Sequence, residues 1–133
     1  MQLQTLKNKG VIKLKIEDIA MVAHAVKLAY CEATGDLTQV LWQYAPAWQK
    51  NSALLDVNLH LNNPETSASK SHEIWLEQKL NDGWKYGPRK DAELKLHPCV
   101  CSFEELTKEQ QIKDHLFKAV VNAITLISEQ SEE

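Results

Sequence analysis

Apolar residues recur at helical spacing over much of the chain, most clearly near its end. There they return at every third or fourth position and would line one face of a helix. The spacings at residues 102–105 and 107–110 fit capping boxes and predict a short turn that leads into this final helix. The positions of the apolar stripe are Ile112, Leu116, Val120, Ile124 and Ile127.

Two helices are predicted in the first half of the chain. The first occupies about residues 19–33, where the period is helical and Asp18 is available as the amino-terminal cap. The second begins at Pro46, because the amide hydrogen that proline lacks is not needed in the first turn of a helix. It is expected to end near Asn62, where a proline follows closely.

A third helix and a short strand complete the regular structure that the pattern predicts. The helix is expected to start from a cap at Ser69 or Ser71 and to run through Asn81. Gly83 is placed to adopt the left-handed conformation that often follows a helix. Residues 11–16 alternate apolar residues with lysines, which is the period of a half-buried strand.

These elements predict a mainly α fold, a small domain of about four helices with one or two short strands. Between residues 83 and 101 neither period persists, and glycines and prolines break the chain into turns. A loop of this length in a compact domain is usually functional.

With 133 residues the chain is expected to be a single domain, residues 1–133, that ends in an acidic tail over residues 128–133.

Charge and composition narrow the class of partner. The net charge of −3 argues against a nucleic-acid partner, since general nucleic-acid binders are usually strongly basic. No stretch reaches the roughly 18 apolar residues that a membrane span needs, and residues 1–15 lack a signal-peptide core. Three cysteines, Cys31, Cys99 and Cys101, lack the spacing of a disulfide framework. We therefore expect a cytoplasmic protein with reduced thiols and no membrane partner.

Catalytic and metal-binding motifs are missing from the sequence, among them the Walker loop, the dinucleotide fingerprint and His-Glu-x-x-His. His97, Cys99 and Cys101 are soft or borderline metal ligands, but a Cys-x-Cys unit without a second ligand pair is not a zinc spacing. Cys99 as a nucleophile, with His97 or His72 as base, lacks a visible third residue to orient the base. We expect neither an enzyme nor a bound metal or cofactor.

Three short motifs of rarely used residues follow one another between residues 71 and 106. They are His-Glu-x-Trp in a helix, then Gly-Trp-x-Tyr-Gly-Pro, then His-Pro-Cys before a leucine-containing turn. In these residues the chain resembles the repeat domain of ryanodine receptors, the RyR domain, and more broadly its free-standing microbial and phage members over about residues 18–127. The matching positions are His72, Glu73, Trp75, Gly83, Trp84, Tyr86, Gly87, Pro88, His97, Pro98, Cys99 and Leu106.

The resemblance implies a mainly helical domain with short strands, found as tandem pairs in the channels and as small separate proteins in microbes. It implies no enzymatic activity, and prokaryotic members have been proposed to recognise nucleotide-like ligands. This chain carries a single copy. A surface that the channels form between two repeats is therefore expected to be absent here or to be made by a homodimer.

Six residues in and after the third helix form the candidate ligand site. His72 and Trp75 share one helix face, and Trp84 and Tyr86 would point the same way if their segment is extended. Their rings could stack on a planar group, while a local charge of +2 over residues 83–97 would attract an anion. The candidate ligand-binding residues are His72, Trp75, Trp84, Lys85, Tyr86 and Arg89.

The same residues allow other interpretations, which the sequence leaves open. Trp75 and Trp84 could pack the loop onto the core, as most tryptophans do in small domains. The aromatic residues could also anchor a protein-interaction or homodimer interface. The leading hypothesis is a non-enzymatic module that binds a small anionic, nucleotide-like ligand through these side chains.

Overall fold

Helices dominate the structure, a computed structural model that describes residues 14–132. Within this range four α-helices, two 3₁₀ turns and two short strands follow one another, which confirms the predicted fold class. The elements are α1 (Ile16–Ala33), a 3₁₀ turn (Trp42–Tyr44), α2 (Ala47–Asn62), α3 (Ala68–Asn81), β1 (Lys85–Tyr86), β2 (Leu96–His97), a second 3₁₀ turn (Phe103–Glu105) and α4 (Lys108–Glu132). None of the helices in this range is long and apolar enough to cross a membrane.

Helix α1 starts at Ile16, earlier than predicted, and its amino-terminal cap is Lys15. Asp18 is therefore not the cap. It lies in the first turn, where its Oδ2 accepts a hydrogen bond from the Lys15 backbone N–H at 2.8 Å. A carboxylate at this position also complements the positive end of the helix dipole. Of the strand predicted over residues 11–16, residues 11–13 lie outside the described residues. The prediction is wrong for the other half, because residues 14 and 15 have no regular secondary structure and Ile16 begins α1.

The cap of α3 lies earlier in the chain than the two serines predicted for it. Ser67 has an extended backbone, and its Oγ accepts a hydrogen bond from the Lys70 N–H at 3.0 Å. Ser69 and Ser71 lie inside the helix. Ser67 caps the helix because it is the residue at which the chain turns from extended into helical backbone.

The residues cluster into two compact units. The first comprises Met1–Glu65 with Leu116–Glu133, and the second comprises Thr66–His115. Helix α4 contributes its first turns to the second unit and the remainder to the first. The second unit contains all six candidate ligand-binding residues. That residues 1–133 form a single domain stays a prediction.

The core of the first unit joins α1, α2 and α4 around two aromatic rings. Alanines on α1 are fully buried and let the neighbouring helix approach closely. On α4 the most buried residues are Phe117 and Val121, one position beyond the predicted stripe, and Ile127 is exposed. The buried cluster consists of Ile19, Ala20, Ala23, Trp42, Val57, Phe117 and Val121.

In the second unit a short parallel sheet follows α3. Gly83 ends the helix with φ of +89°, as predicted, and Trp84 then donates its backbone N–H to the Lys79 carbonyl at 2.9 Å. Strands β1 and β2 pair Lys85 with Leu96 and Tyr86 with His97. Both strands lie where only turns were predicted, because a two-residue strand is too short to show a period.

A buried histidine on α2 makes the first unit sensitive to acid. His60 is 2% exposed, and its Nε2 lies 3.5 Å from Oδ1 of Asp56. Burial lowers the pKa of His60; Asp56 opposes this effect and Lys118 adds to it. The unfolded chain therefore takes up this proton at a higher pH than the folded chain does.

We expect the stability contributed by neutral His60 to be present above the ordinary histidine pKa of about 6.5. It is lost as the pH falls below that value towards the lowered pKa of the folded state. Urea unfolding between pH 8 and pH 4 measures the effect, and His60→Leu should flatten the pH dependence. The control, His115→Gln, replaces an exposed histidine, and the pH dependence of this variant is the reference for that of His60→Leu. A curve that His60→Leu does not alter would contradict this assignment.

Candidate functional site

Four rings from three segments meet in the second unit. On α3, His72 and Trp75 stack with their centroids 5.4 Å apart and their planes at 27°. His97 of β2 meets Trp75 edge to face at 5.2 Å and Trp84 at 6.2 Å. The shared helix face predicted for His72 and Trp75 is confirmed. We call His72, Trp75, Trp84 and His97 the His-Trp cluster.

His72 is buried and ties three segments of this unit together. Its Nε2–H donates to the Cys101 carbonyl at 2.8 Å. Its Nδ1 lies 3.9 Å from Oδ2 of Asp114, which belongs to α4. The ring is thus held between a carbonyl and a carboxylate, away from solvent. This position favours a structural role over direct contact with a ligand.

The His97–Cys99 turn has no activated nucleophile. The Cys99 backbone N–H donates to Nδ1 of His97 at 3.0 Å, so the proton of the neutral ring lies on Nε2. Burial, with the nearby Asp114 carboxylate, raises the pKa of Cys99 to about 11, and the thiol stays protonated at neutral pH. Among residues 14–132 no group of three or more side chains is arranged to hold a metal ion.

Lys79 lies inside the His-Trp cluster. The residue is 6% exposed, and its Nζ lies 5.9 Å from the Trp75 ring centroid and 5.3 Å from that of Trp84. Burial lowers the pKa of Lys79, and Asp82 opposes this effect. Sequence reasoning did not assign Lys79 to the site. The available signal was its spacing, because it follows Trp75 by one helical turn.

The six candidate residues fall into two environments. Trp84 is 6% exposed whereas Tyr86 is 61% exposed, so the two rings do not form one exposed surface, and the burial of Trp84 agrees with the packing alternative. The reason is that Trp84 precedes the strand and packs against Lys79 and His97. His72 is also buried, Trp75 is half-buried, and Lys85 and Arg89 are exposed. The assignment of these six residues to a ligand stays a prediction.

Residues 41–129 of this chain match the RyR domain family. The chain belongs to this family. The match takes in α2, α3 and the sheet, together with most of α4. Helix α1 lies outside the matched residues, and the extent of residues 18–127 for the resemblance stays a prediction.

Several residues of the RyR motif have a structural explanation in this chain. Gly83 takes the left-handed backbone, and Leu106 is buried. Gly87 lies so close to β2 that a Cβ added to it would be 2.7 Å from Cβ of Leu96. The motif therefore contains residues that shape and anchor the segment, in addition to the exposed residues available for contact.

We expect Gly87→Ala to destabilise the RyR domain by about 1–3 kcal/mol, the usual effect of forcing an extra methyl group into a packed site. The new Cβ must push β1 and β2 apart and weaken the hydrogen bond from Gly87 N–H to the His97 carbonyl, now 3.3 Å long. Urea unfolding followed by circular dichroism measures the loss. Lys85→Ala, at an exposed neighbour, is the control and should change stability little. Equal stabilities for the two variants would contradict the close approach.

Charges in the loop between the strands are partly used within the RyR domain itself. Lys95 donates from Nζ to the Asp82 carbonyl at 2.6 Å, at the negative end of the α3 dipole. Oδ1 of Asp91 accepts a hydrogen bond from the Leu94 N–H at 3.1 Å. By contrast, Lys85 and Arg89 form no ion pair with any residue in the described range.

Proposed function

We propose that this RyR-domain chain is a non-enzymatic module that binds a small anionic ligand of the nucleotide type. The proposed contact residues are Lys85, Tyr86 and Arg89, which are exposed and lie within five positions of the chain; we call this group the basic tyrosine face. One observation carries the proposal: an exposed aromatic ring lies in sequence between two exposed cations, on a segment whose neighbouring Trp84 is buried.

The chemistry of the basic tyrosine face suits a ligand that has both a planar ring and a phosphate. A tyrosine ring offers a flat surface on which a base can stack. The Arg89 guanidinium presents a planar fork of donors that matches phosphate oxygens, and Lys85 adds a compact point charge. The local charge of +2 over residues 83–97 contrasts with the −3 of the whole chain and favours an anion at this surface.

In this proposal the buried aromatic residues act indirectly. Trp84 and His72 are too buried to stack on a ligand, but they hold the segment that carries the contact residues. A segment held in place before binding loses less conformational entropy when the ligand arrives. The His-Trp cluster thus contributes to affinity by fixing the basic tyrosine face.

Isothermal titration calorimetry with ATP tests the proposal. We expect saturable binding by the wild-type chain and an affinity that falls as salt is added, because exposed charges are screened. Tyr86→Ala should weaken binding by about tenfold, since stacking of a base on an aromatic side chain is worth about 1–3 kcal/mol. Arg89→Ala should weaken it to a similar extent. Inorganic pyrophosphate and adenosine, titrated separately, should each bind more weakly than ATP.

Matched controls separate a local effect from a general one. Tyr44 is 69% exposed and lies in the first unit, so Tyr44→Ala removes a comparable ring elsewhere. Lys108→Ala removes an exposed cation from the start of α4. Both variants should bind ATP like the wild type. The proposal fails if the wild type binds none of the three probes, or if Tyr86→Ala and Arg89→Ala retain full affinity.

A further inference from the structure

We propose that Lys79 is a positioning residue of the RyR domain. Its ammonium, which lies within 6 Å of the ring centroids of both Trp75 and Trp84, fixes Trp84 and thereby sets the orientation of Lys85 and Tyr86 on β1. The effect on ligand affinity rests on the proposed function, whereas the effect on the strand does not.

Strand β1 needs such an anchor because its sheet is very small. The two strands pair at two positions only, through hydrogen bonds such as the 2.9 Å bond from Lys85 N–H to the Lys95 carbonyl. Even a complete two-stranded hairpin is at best marginally stable in water without packing against something else. Trp84 supplies packing at the start of β1, and its ring contacts include those with Lys79 and His97.

Lys79 holds Trp84 at two points. Its backbone carbonyl accepts the Trp84 N–H at 2.9 Å, and its ammonium lies 5.3 Å from the centroid of the Trp84 ring. The same ammonium lies 5.9 Å from the ring of Trp75, one helical turn earlier on α3. A cation is attracted to the face of an indole, and the attraction grows when the pair is removed from water. Lys79 therefore links α3 to the start of β1.

The groups around Lys79 determine how the link responds to pH. Asp82 is the nearby carboxylate and favours the charged ammonium, while burial favours the neutral amine and lowers the pKa of Lys79. His72 and His97 flank the two indoles, and Lys95 donates to the Asp82 carbonyl. Lys79 should therefore lose its proton, and with it the cation–π attraction, at a lower pH than an exposed lysine.

Carbon-13 labelling of the lysines provides a spectroscopic test that needs no ligand. The Lys79 ε-methylene signal is assigned by its absence in Lys79→Arg. We expect ring currents from two indoles to shift its protons upfield of the other lysine signals. We also expect it to titrate at a lower pH than an ordinary exposed lysine does. A signal within the envelope of the other lysines would overturn the proposal.

Three variants test whether this geometry acts on the strand. Lys79→Met keeps an apolar stem without the charge, and Lys79→Arg keeps a cation that also stacks on aromatic rings. We expect the amide signals of Lys85 and Tyr86 to move in Lys79→Met and to return close to their wild-type positions in Lys79→Arg. Lys70→Met is the matched control and should leave both signals unchanged. Signals that Lys79→Met leaves in place would overturn the positioning role.

Calorimetry with ATP extends the test to binding. Lys79→Met should weaken ATP binding by about three- to tenfold, because only part of the cation–π attraction that holds Trp84 is transmitted to the ligand. The affinity of Lys79→Arg for ATP should lie within about twofold of that of the wild type, because arginine keeps a cation that can contact both rings. If the wild type binds no ATP, the proposed function fails while the amide signals still decide the role of Lys79. If the wild type binds ATP and Lys79→Met binds it equally well, the positioning role fails alone.

Discussion

Trp84→Ala is expected to destabilise the protein by about 3–5 kcal/mol, the range measured when large aromatic side chains are removed from protein cores. The Trp84 residue is buried, its ring packs edge to face with that of His97 with the centroids 6.2 Å apart, and the Lys79 ammonium lies 5.3 Å from its centroid. Its removal leaves a cavity and deprives a buried cation of an aromatic partner. Urea unfolding measures the loss, with amide signals of residues 66–115 reporting on the second unit.

Tyr86→Ala is the matched control, because the two aromatic residues are separated by one position and differ in burial. Tyr86 is exposed, so its replacement should change stability by no more than about 0.5 kcal/mol. The contrast separates the anchoring ring from the ring available for contact. Similar stability losses in Trp84→Ala and Tyr86→Ala would contradict the different roles assigned to them.

Phe117→Ala is expected to have an effect of similar size, about 3–5 kcal/mol, on the first unit. Phe117 is buried in the cluster that contains Val57 and Val121, and the Lys27 Nζ lies 5.6 Å from its ring centroid. The chain's other phenylalanine, Phe103, is half-buried and should cost less when replaced by alanine. Thermal unfolding followed by circular dichroism measures both variants.

The comparison of the two phenylalanines tests the orientation of α4. If Phe117→Ala destabilised the protein no more than Phe103→Ala, the helix would not present Phe117 to the core. Leu116→Ala gives a second check, since Leu116 belongs to the stripe that the sequence predicted and is half-buried in the structure. We expect Leu116→Ala to cost less than Phe117→Ala.

The helices could be predicted from the sequence because each repeats its apolar positions over several turns. Their first residues could not be predicted as well. More than one residue near the start of a helix can be of a capping type, and the sequence around α3 has serines at positions 67, 69 and 71. Only the backbone shows that Ser67 stands at the entry to the helix. In the same way Asp18 is a good cap by residue type, but it accepts the Lys15 N–H from within the first turn.

The candidate site was predicted in part. The stacking of His72 and Trp75 follows from their helical spacing and needed no tertiary information. The burial of Trp84 depends on His97, which lies thirteen residues further along the chain, and no local pattern reports such a contact. The alternation of side chains along a strand did not predict the positions of Trp84 and Tyr86, because β1 has only two residues and Trp84 is not one of them.

Lys79 was missed for a different reason. Lysine is seldom buried, and residue type alone places it at the surface. Its long apolar stem lets it enter a cluster of rings, and the faces of the two indoles then attract its positive charge. Only the meeting of α3 with the start of β1 shows that the ammonium lies near both rings.

The most direct test of the basic tyrosine face uses the one arginine in the chain. Because Arg89 has no counterpart elsewhere in the sequence, its side-chain Nε–H gives a single signal in a nitrogen-15 NMR spectrum. We expect this signal to shift and saturate as ATP is added, with the dissociation constant that calorimetry gives. A signal that does not move while ATP binds would place the ligand elsewhere on the molecule and contradict the proposed site.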